Sequence, residues 1–303
     1  MCPLPSPGTR RLAKLSSVKV PTLQVYASGP RRLYYRRSGL EAGASPIVLI
    51  HGLSGSRRWW RSNLPALERL GTVYVVELVG FGSVRRRQRA LSMKDAAALV
   101  SEWMDHLNLQ GAALIGHSMG GQIALRVAAL QPQRVSRLVL AAASGLLHRA
   151  WWQVAALLPQ AMRQGKLNFV PTILADGARA GLPNLVRSSR DLLQDDVTGL
   201  LPQIMQPTLV IWGEHDVLLP PDLGRALSAG IARSRWVLLQ GAGHVLMVDA
   251  PEAFNREVTA FLGESARKES AQKESAQKEA ALNESASAGS VAPAERPETQ
   301  ASA

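Results

Sequence analysis

Cysteine is almost missing from this 303-residue chain: Cys2 is the only one. An intramolecular disulfide is therefore excluded, and a thiol-based metal site or nucleophile is not expected at that position. Long apolar runs are missing too. No stretch of about 20 uninterrupted apolar residues exists, so a membrane-spanning helix is not expected. The opening residues, MCPLPSPGTRRLAKLSSVKVP, are basic but lack the apolar centre of a secretory leader, and a cytoplasmic protein is the expectation.

Hydrophobic residues and positive charge are plentiful. At 46% hydrophobic the chain can bury a sizeable core, as one large domain or two smaller ones. The formal charge is +12, concentrated in two places. Arg10, Arg11, Lys14, Lys19, Arg31, Arg32, Arg36 and Arg37 crowd the N-terminal segment, and Arg85, Arg86, Arg87 and Arg89 form a second knot. Clustered cations attract phosphate backbones, yet no nucleic-acid-binding motif accompanies either cluster. Both are read as solvated basic surface, with no nucleic-acid partner expected.

The ends differ from the middle. Residues 1–20 are rich in proline, serine and basic residues and are expected outside the core. From Glu264 the chain reads ESARK-ESAQK-ESAQK-EAALN-ESASA, with almost nothing apolar to offset the entropy of ordering. Residues 264–303 are read as a low-complexity tail, a fraying helix held by Glu-to-Lys pairs four apart and then disorder.

Between these ends, short apolar runs alternate with helical patterns. The strand candidates are Ile47–Ile50, Val73–Val76, Ala112–Ile115, Leu138–Ala141, Leu209–Trp212 and Trp236–Leu239. They are continuously apolar, as expected where both faces of a sheet are covered. In SMKDAAALVSEWMDHL, Ser92 is placed to cap a helix whose face carries Ala96, Leu99, Val100, Trp103 and Leu107. Pro251 suits a first helical turn, with Phe254, Val258, Phe261 and Leu262 as the apolar stripe that follows. Such alternation implies an α/β fold: a mostly parallel sheet with helices on both faces. The regularity breaks over residues 146–201, which are helix-prone without a clear strand and read as a helical cap inserted between two halves of a core, 21–145 and 202–263.

The strongest chemical signal is Gly116-His117-Ser118-Met119-Gly120, followed by Gly121. It lies directly after one apolar run and directly before the helical GQIALRVAAL. That strand–turn–helix setting gives G-x-S-x-G its meaning as a nucleophile elbow. Glycines are needed because a Cβ beside so sharp a turn would strike the neighbouring elements. Serine is a weak nucleophile at neutral pH and needs a base. Of the six histidines, His244 in GAGHVLMVDAPEAF is the candidate, since its loop follows the last strand and ends at the edge that displays Ser118. An orienting carboxylate completes the set. Asp216 in IWGEHDVLLP is preferred, and Glu214 is its competitor two residues earlier.

With His51-Gly52, Gly116–Gly120, Gly213–Asp216 and Gly243-His244 in place, the chain resembles the α/β-hydrolase family with an inserted cap, over roughly Leu23 to Leu262. The resemblance implies an oxyanion hole from the backbone N–H groups of Leu53 and Met119, and a structural role for His51. One segment departs from the family. Where an Asp-x-Pro-Gly turn is common, this chain has Glu77-Leu78-Val79-Gly80-Phe81-Gly82-Ser83. Serine at position 118 also sets the chain apart from haloalkane dehalogenases and epoxide hydrolases, relatives that use an aspartate nucleophile.

The expected function is a serine hydrolase that cleaves a carboxylic ester or related acyl bond in a small apolar substrate, through an acyl-enzyme. Neither cofactor nor metal is called for, and the partner is a small-molecule acyl substrate. Trp151, Trp152 and Leu157, with Leu158 and Met162, are the candidate substrate contacts, although packing the insertion onto the sheet would also account for them. Carbon–carbon bond hydrolysis and perhydrolysis use the same triad, and a non-catalytic binding protein on this fold is the alternative of another class.

Overall fold

The computed structural model of the chain describes residues 22–40, 45–82 and 88–264. Residues 1–20, Arg85 to Arg87 and the repeats after Glu264 lie outside them, with the expectations attached to those segments.

Eight strands form one sheet in the order β1-β2-β4-β3-β5-β6-β7-β8. The six apolar runs are β3 (Pro46–Ile50), β4 (Thr72–Glu77), β5 (Ala112–His117), β6 (Val135–Ala141), β7 (Thr208–Gly213) and β8 (Ser234–Leu239), and these six pair with one another in parallel. Every residue of β4, β5 and β7 is buried, because helices or loops cover both faces. Two further strands, β1 (Leu23–Ser28) and β2 (Arg31–Gly39), form a hairpin at the edge, and β2 opposes β4. In β2 only Leu33 and Tyr35 are buried, while Arg31, Arg32 and Arg36 are half-buried and Arg37 is exposed. The N-terminal basic residues from Arg31 onward thus lie along a half-exposed strand.

The helices run in chain order as α1 (Leu64–Leu67), α2 (Met93–His106), α3 (Met119–Leu130), α4 (Trp151–Ala156), α5 (Leu158–Gln164), α6 (Val170–Ala180), α7 (Leu182–Gln194), α8 (Pro221–Gly230), α9 (Leu246–Asp249) and α10 (251–264). Ser92 caps α2, its Oγ accepting the Asp95 amide at 3.1 Å. Ala96, Leu99, Val100 and Trp103 are buried beneath it. In α10, Phe254 packs against the ring of Trp60 at 6.3 Å, and both are fully buried.

Between β6 and β7 the described chain is helical apart from turns. Proline occupies the first turn of α5, α6 and α7, where its missing N–H costs nothing, so each helix starts afresh and the segment folds into short pieces. This cap is tied to the core by polar side chains. Asn184 donates to the carbonyls of Gly80 (3.2 Å) and Gln88 (2.8 Å) and accepts the Ala90 amide at 2.9 Å. Asp195 pairs with Arg126 of α3. Among the described residues, no helix is long and apolar enough to cross a membrane.

Candidate active site

Strand β5 ends in the elbow. Ser118 sits between strand and helix at φ +51° and ψ −118°, a conformation that favours glycine and holds its side chain clear of both elements. The strained residue is pinned on both sides. Its amide donates to the Ala141 carbonyl at 2.9 Å, and its carbonyl accepts the Ser144 amide at 3.2 Å. The flanking glycines are required by close approach. A Cβ on Gly116 would lie 2.3 Å from the Gly120 carbonyl oxygen, and one on Gly120 would lie 2.3 Å from that of Ile50. We expect Gly120→Ala to cost roughly 3 kcal/mol, since the neighbour is rigid backbone. A thermal melt should show Tm falling by about 10 °C; an unchanged melt would refute the close approach.

The loops after β7 and β8 bring two more side chains to the same edge. His244 Nε2 lies 3.1 Å from Ser118 Oγ, and His244 Nδ1 lies 2.8 Å from Asp216 Oδ2. Asp216 is buried, and its other oxygen accepts the amides of Leu218 (3.0 Å) and Leu219 (2.9 Å), so the carboxylate cannot turn away. Glu214 faces elsewhere: its Oε2 accepts the Gly241 amide at 2.9 Å. Of the other histidines, His106, His148 and His215 are exposed. His51 donates from Nδ1 to the Gly52 carbonyl at 2.8 Å and accepts the Leu78 amide on Nε2 at 3.1 Å, tying the loop after β3 to the loop after β4. Burial lowers its basicity and keeps it neutral. This bond lies within the segment that departs from the family's usual turn. There Gly80 and Gly82 both take positive φ, and a Cβ on Gly82 would meet the buried Glu77 side chain at 2.7 Å.

Above Ser118 lies a cavity of about 610 Å³. Its core side is made by Leu53, Trp59, His117 and His244, and its cap side mainly by apolar residues of α4 to α7. Met119 is the first residue of α3, where a helix leaves its amide without an intrahelical acceptor. Leu53 lies in the loop after β3, beside a tight turn in which the Gly55 amide donates to the Gly52 carbonyl at 3.0 Å.

Residues 47–257 match the model of the alpha/beta hydrolase family. The chain belongs to that family. It is 30% identical over 264 residues to the dihydrolipoyllysine-residue acetyltransferase component of an acetoin cleaving system in Pseudomonas putida, spanning 80% of this chain and 70% of that one. It is 28% identical over 255 residues to a 2-hydroxy-6-oxononadienedioate/2-hydroxy-6-oxononatrienedioate hydrolase of Cupriavidus pinatubonensis, spanning 73% and 88%. The solved structure of a hydrolase from Pseudomonas aeruginosa superposes with a TM-score of 0.68 at 28% identity, over 80% of this chain and 98% of that one.

In this hydrolase the candidate substrate contacts divide. Trp151, Leu158 and Met162 line the cavity. Trp152 and Leu157 do not, which corrects the expectation for both. Trp152 is 60% exposed, since the next residue along a helix points about 100° away from a cavity-facing one. Leu157 sits at the junction where α4 ends and α5 begins and is not among the residues that line the cavity.

Three residues of the hydrolase's site escaped the sequence reading. His117, inside the elbow, lies 2.9 Å by Nε2 from the His244 carbonyl and so holds the loop that carries His244. Burial pushes its imidazole well below the ordinary range, with His244 adding to the effect, so it stays uncharged. Asp249 accepts the amides of Gly243 (3.1 Å) and of Lys166 in the cap (2.9 Å), and burial raises its carboxyl. Asp176, in α6, is fully buried against the loop after β3. Their residue types occur throughout the chain, and only the folding of distant segments together distinguishes them.

Proposed function

We propose that this hydrolase is a serine esterase that cleaves a carboxylic ester, or a related acyl bond, of a small apolar substrate through an acyl-enzyme on Ser118. The observation that carries the reading is the unbroken relay from Asp216 through His244 to Ser118, with contacts of 2.8 and 3.1 Å, on the floor of a largely apolar cavity. With Asp216 holding the proton on Nδ1, Nε2 of His244 is free to accept the Ser118 proton as Oγ attacks the carbonyl carbon. The carbonyl oxygen gains the charge, and the amides of Leu53 and Met119 are the donors assigned to it. Collapse of the tetrahedral intermediate expels the alcohol, which takes the proton from His244. A water molecule then repeats the sequence on the acyl-enzyme and releases the acid.

The lining favours a neutral substrate. Lys166 is the one cationic side chain among the described residues around the cavity, whereas a dioate carries two anionic groups that need partners. Labelling with a fluorophosphonate probe tests the nucleophile: wild type should label and Ser118→Ala should not. With p-nitrophenyl esters of two to eight carbons, kcat/KM should rise with each methylene by up to about fourfold as apolar surface leaves water. An unlabelled, well-folded wild type would favour a binding protein. Faster cleavage of a diketone than of any ester would favour carbon–carbon bond hydrolysis.

A further inference from the structure

The loop after β3 carries the amide of Leu53 and, a few residues on, Ser56 and Trp59. Both side chains are bonded to the cap. Ser56 Oγ donates at 2.7 Å and the Trp59 indole N–H at 3.2 Å to the same oxygen of Asp176, in α6. The other Asp176 oxygen accepts Arg179 Nη1 at 2.8 Å, one turn along α6, and the Arg58 guanidinium stands 4.0 Å away. Asp176 and Ser56 are fully buried, and Trp59 nearly so. Ser56 Oγ in turn accepts the Arg58 amide at 3.3 Å and caps the short turn Arg57–Trp60. The Trp59 ring forms part of the cavity wall, with centroids 5.7 Å from His117 and 5.6 Å from Phe169.

A buried carboxylate is a poor way merely to fasten one element to another, because apolar side chains of the same volume do so without desolvating a charge. It does fix the direction of its donors, since each must point at one of two oxygens to be satisfied. Here two of those donors belong to the loop that bears Leu53.

We propose that Asp176 is a positioning residue: by binding Ser56 and Trp59 from the cap, it sets the course of the loop at 52–59. The Leu53 amide is then correctly aimed only while the cap is seated. The inference rests on the reading of Ser118 as nucleophile and of the Leu53 amide as an oxyanion donor.

The test is steady-state hydrolysis of p-nitrophenyl butyrate by wild type, Asp176→Ala, Ser56→Ala and the double variant, with fluorophosphonate labelling and thermal melts alongside. Alanine is chosen because an asparagine oxygen could still accept both Ser56 and Trp59. An oxyanion donor acts in the transition state, so Asp176→Ala should lower kcat by about 10- to 100-fold and change KM by less than about threefold. Because Asp176 acts through Ser56, the double variant should be no slower than Asp176→Ala alone. A purely structural role would instead lower Tm and leave kcat of the folded fraction intact. A folded Asp176→Ala with wild-type kcat, a loss confined to KM, or multiplicative effects in the double variant would each overturn the proposal. Should Asp176→Ala not fold, Ser56→Ala decides. A kcat loss of about threefold or more at wild-type Tm supports positioning, and wild-type kcat refutes it. An unlabelled and inactive wild type would overturn the serine reading and this inference with it. A labelled, active wild type beside an unimpaired Asp176→Ala would overturn this inference alone.

Discussion

Ser118→Ala and His244→Ala should each lower kcat for ester hydrolysis by about 10⁴- to 10⁶-fold, and the double variant should be no slower than the worse of the two. The non-additivity follows from the geometry. The 3.1 Å contact makes the two side chains one device: a hydroxyl without a base is a weak nucleophile, and a base without the hydroxyl has nothing to deprotonate. What should remain in either variant is substrate binding and the pull of the proposed oxyanion donors, common to all three proteins. Ser118→Ala retains the Cβ and leaves the backbone bonds to Ala141 and Ser144 untouched, so Tm should stay close to wild type. Burst kinetics and steady-state rates on purified protein check the expectation. Residual activity above about one hundredth of wild type in Ser118→Ala would rule out an acyl-enzyme at this serine.

Asp216→Asn should cost up to about 10⁴-fold in kcat, while Glu214→Gln should leave it nearly unchanged. An asparagine at 216 can still accept the amides of Leu218 and Leu219 through its oxygen, which are bonds of 3.0 and 2.9 Å in the wild type. Its NH₂ would then face His244 Nδ1. The imidazole answers by moving its proton to Nε2, and the nitrogen facing Ser118 becomes a donor that cannot take the hydroxyl proton. Glu214 accepts a backbone amide at Gly241 and stands 3.7 Å from the exposed ring of His215, so its neutralisation touches only a surface loop. A harmless Asp216→Asn beside a crippled Glu214→Gln would reverse the assignment of the acid.

The two carboxylates also show what a sequence reading can and cannot weigh. Both lie just beyond β7, two residues apart, and chemistry alone allows either. In the folded loops Glu214 turns toward Gly241, while Asp216 lies against His244 Nδ1. The hairpin β1–β2 shows the opposite case. Its strands lack a continuous apolar run, because β2 buries only one face at a sheet edge, and its arginines look like plain basic surface until the pairing with β4 is known. The cap illustrates a third. Helical character over its length is legible from composition, but Trp151 and Trp152 are indistinguishable until one lines the cavity and the other meets solvent.

By itself, the amino-acid sequence determined the alternation of apolar strands and amphipathic helices, the glycine-flanked serine at a strand end, and the order of serine, aspartate and histidine along the chain. These are local properties, set by side-chain periodicity and by steric limits on the backbone, and they can be read without knowing what any segment touches. The fold alone decided that Asp216 rather than Glu214 faces His244, that Asp249 and His117 brace the loop that carries His244, and that Asp176 reaches from the cap to Ser56. Each of those contacts joins segments brought together only by burial of the sheet and the cap. Its direction depends on ångström-scale packing that no periodicity encodes.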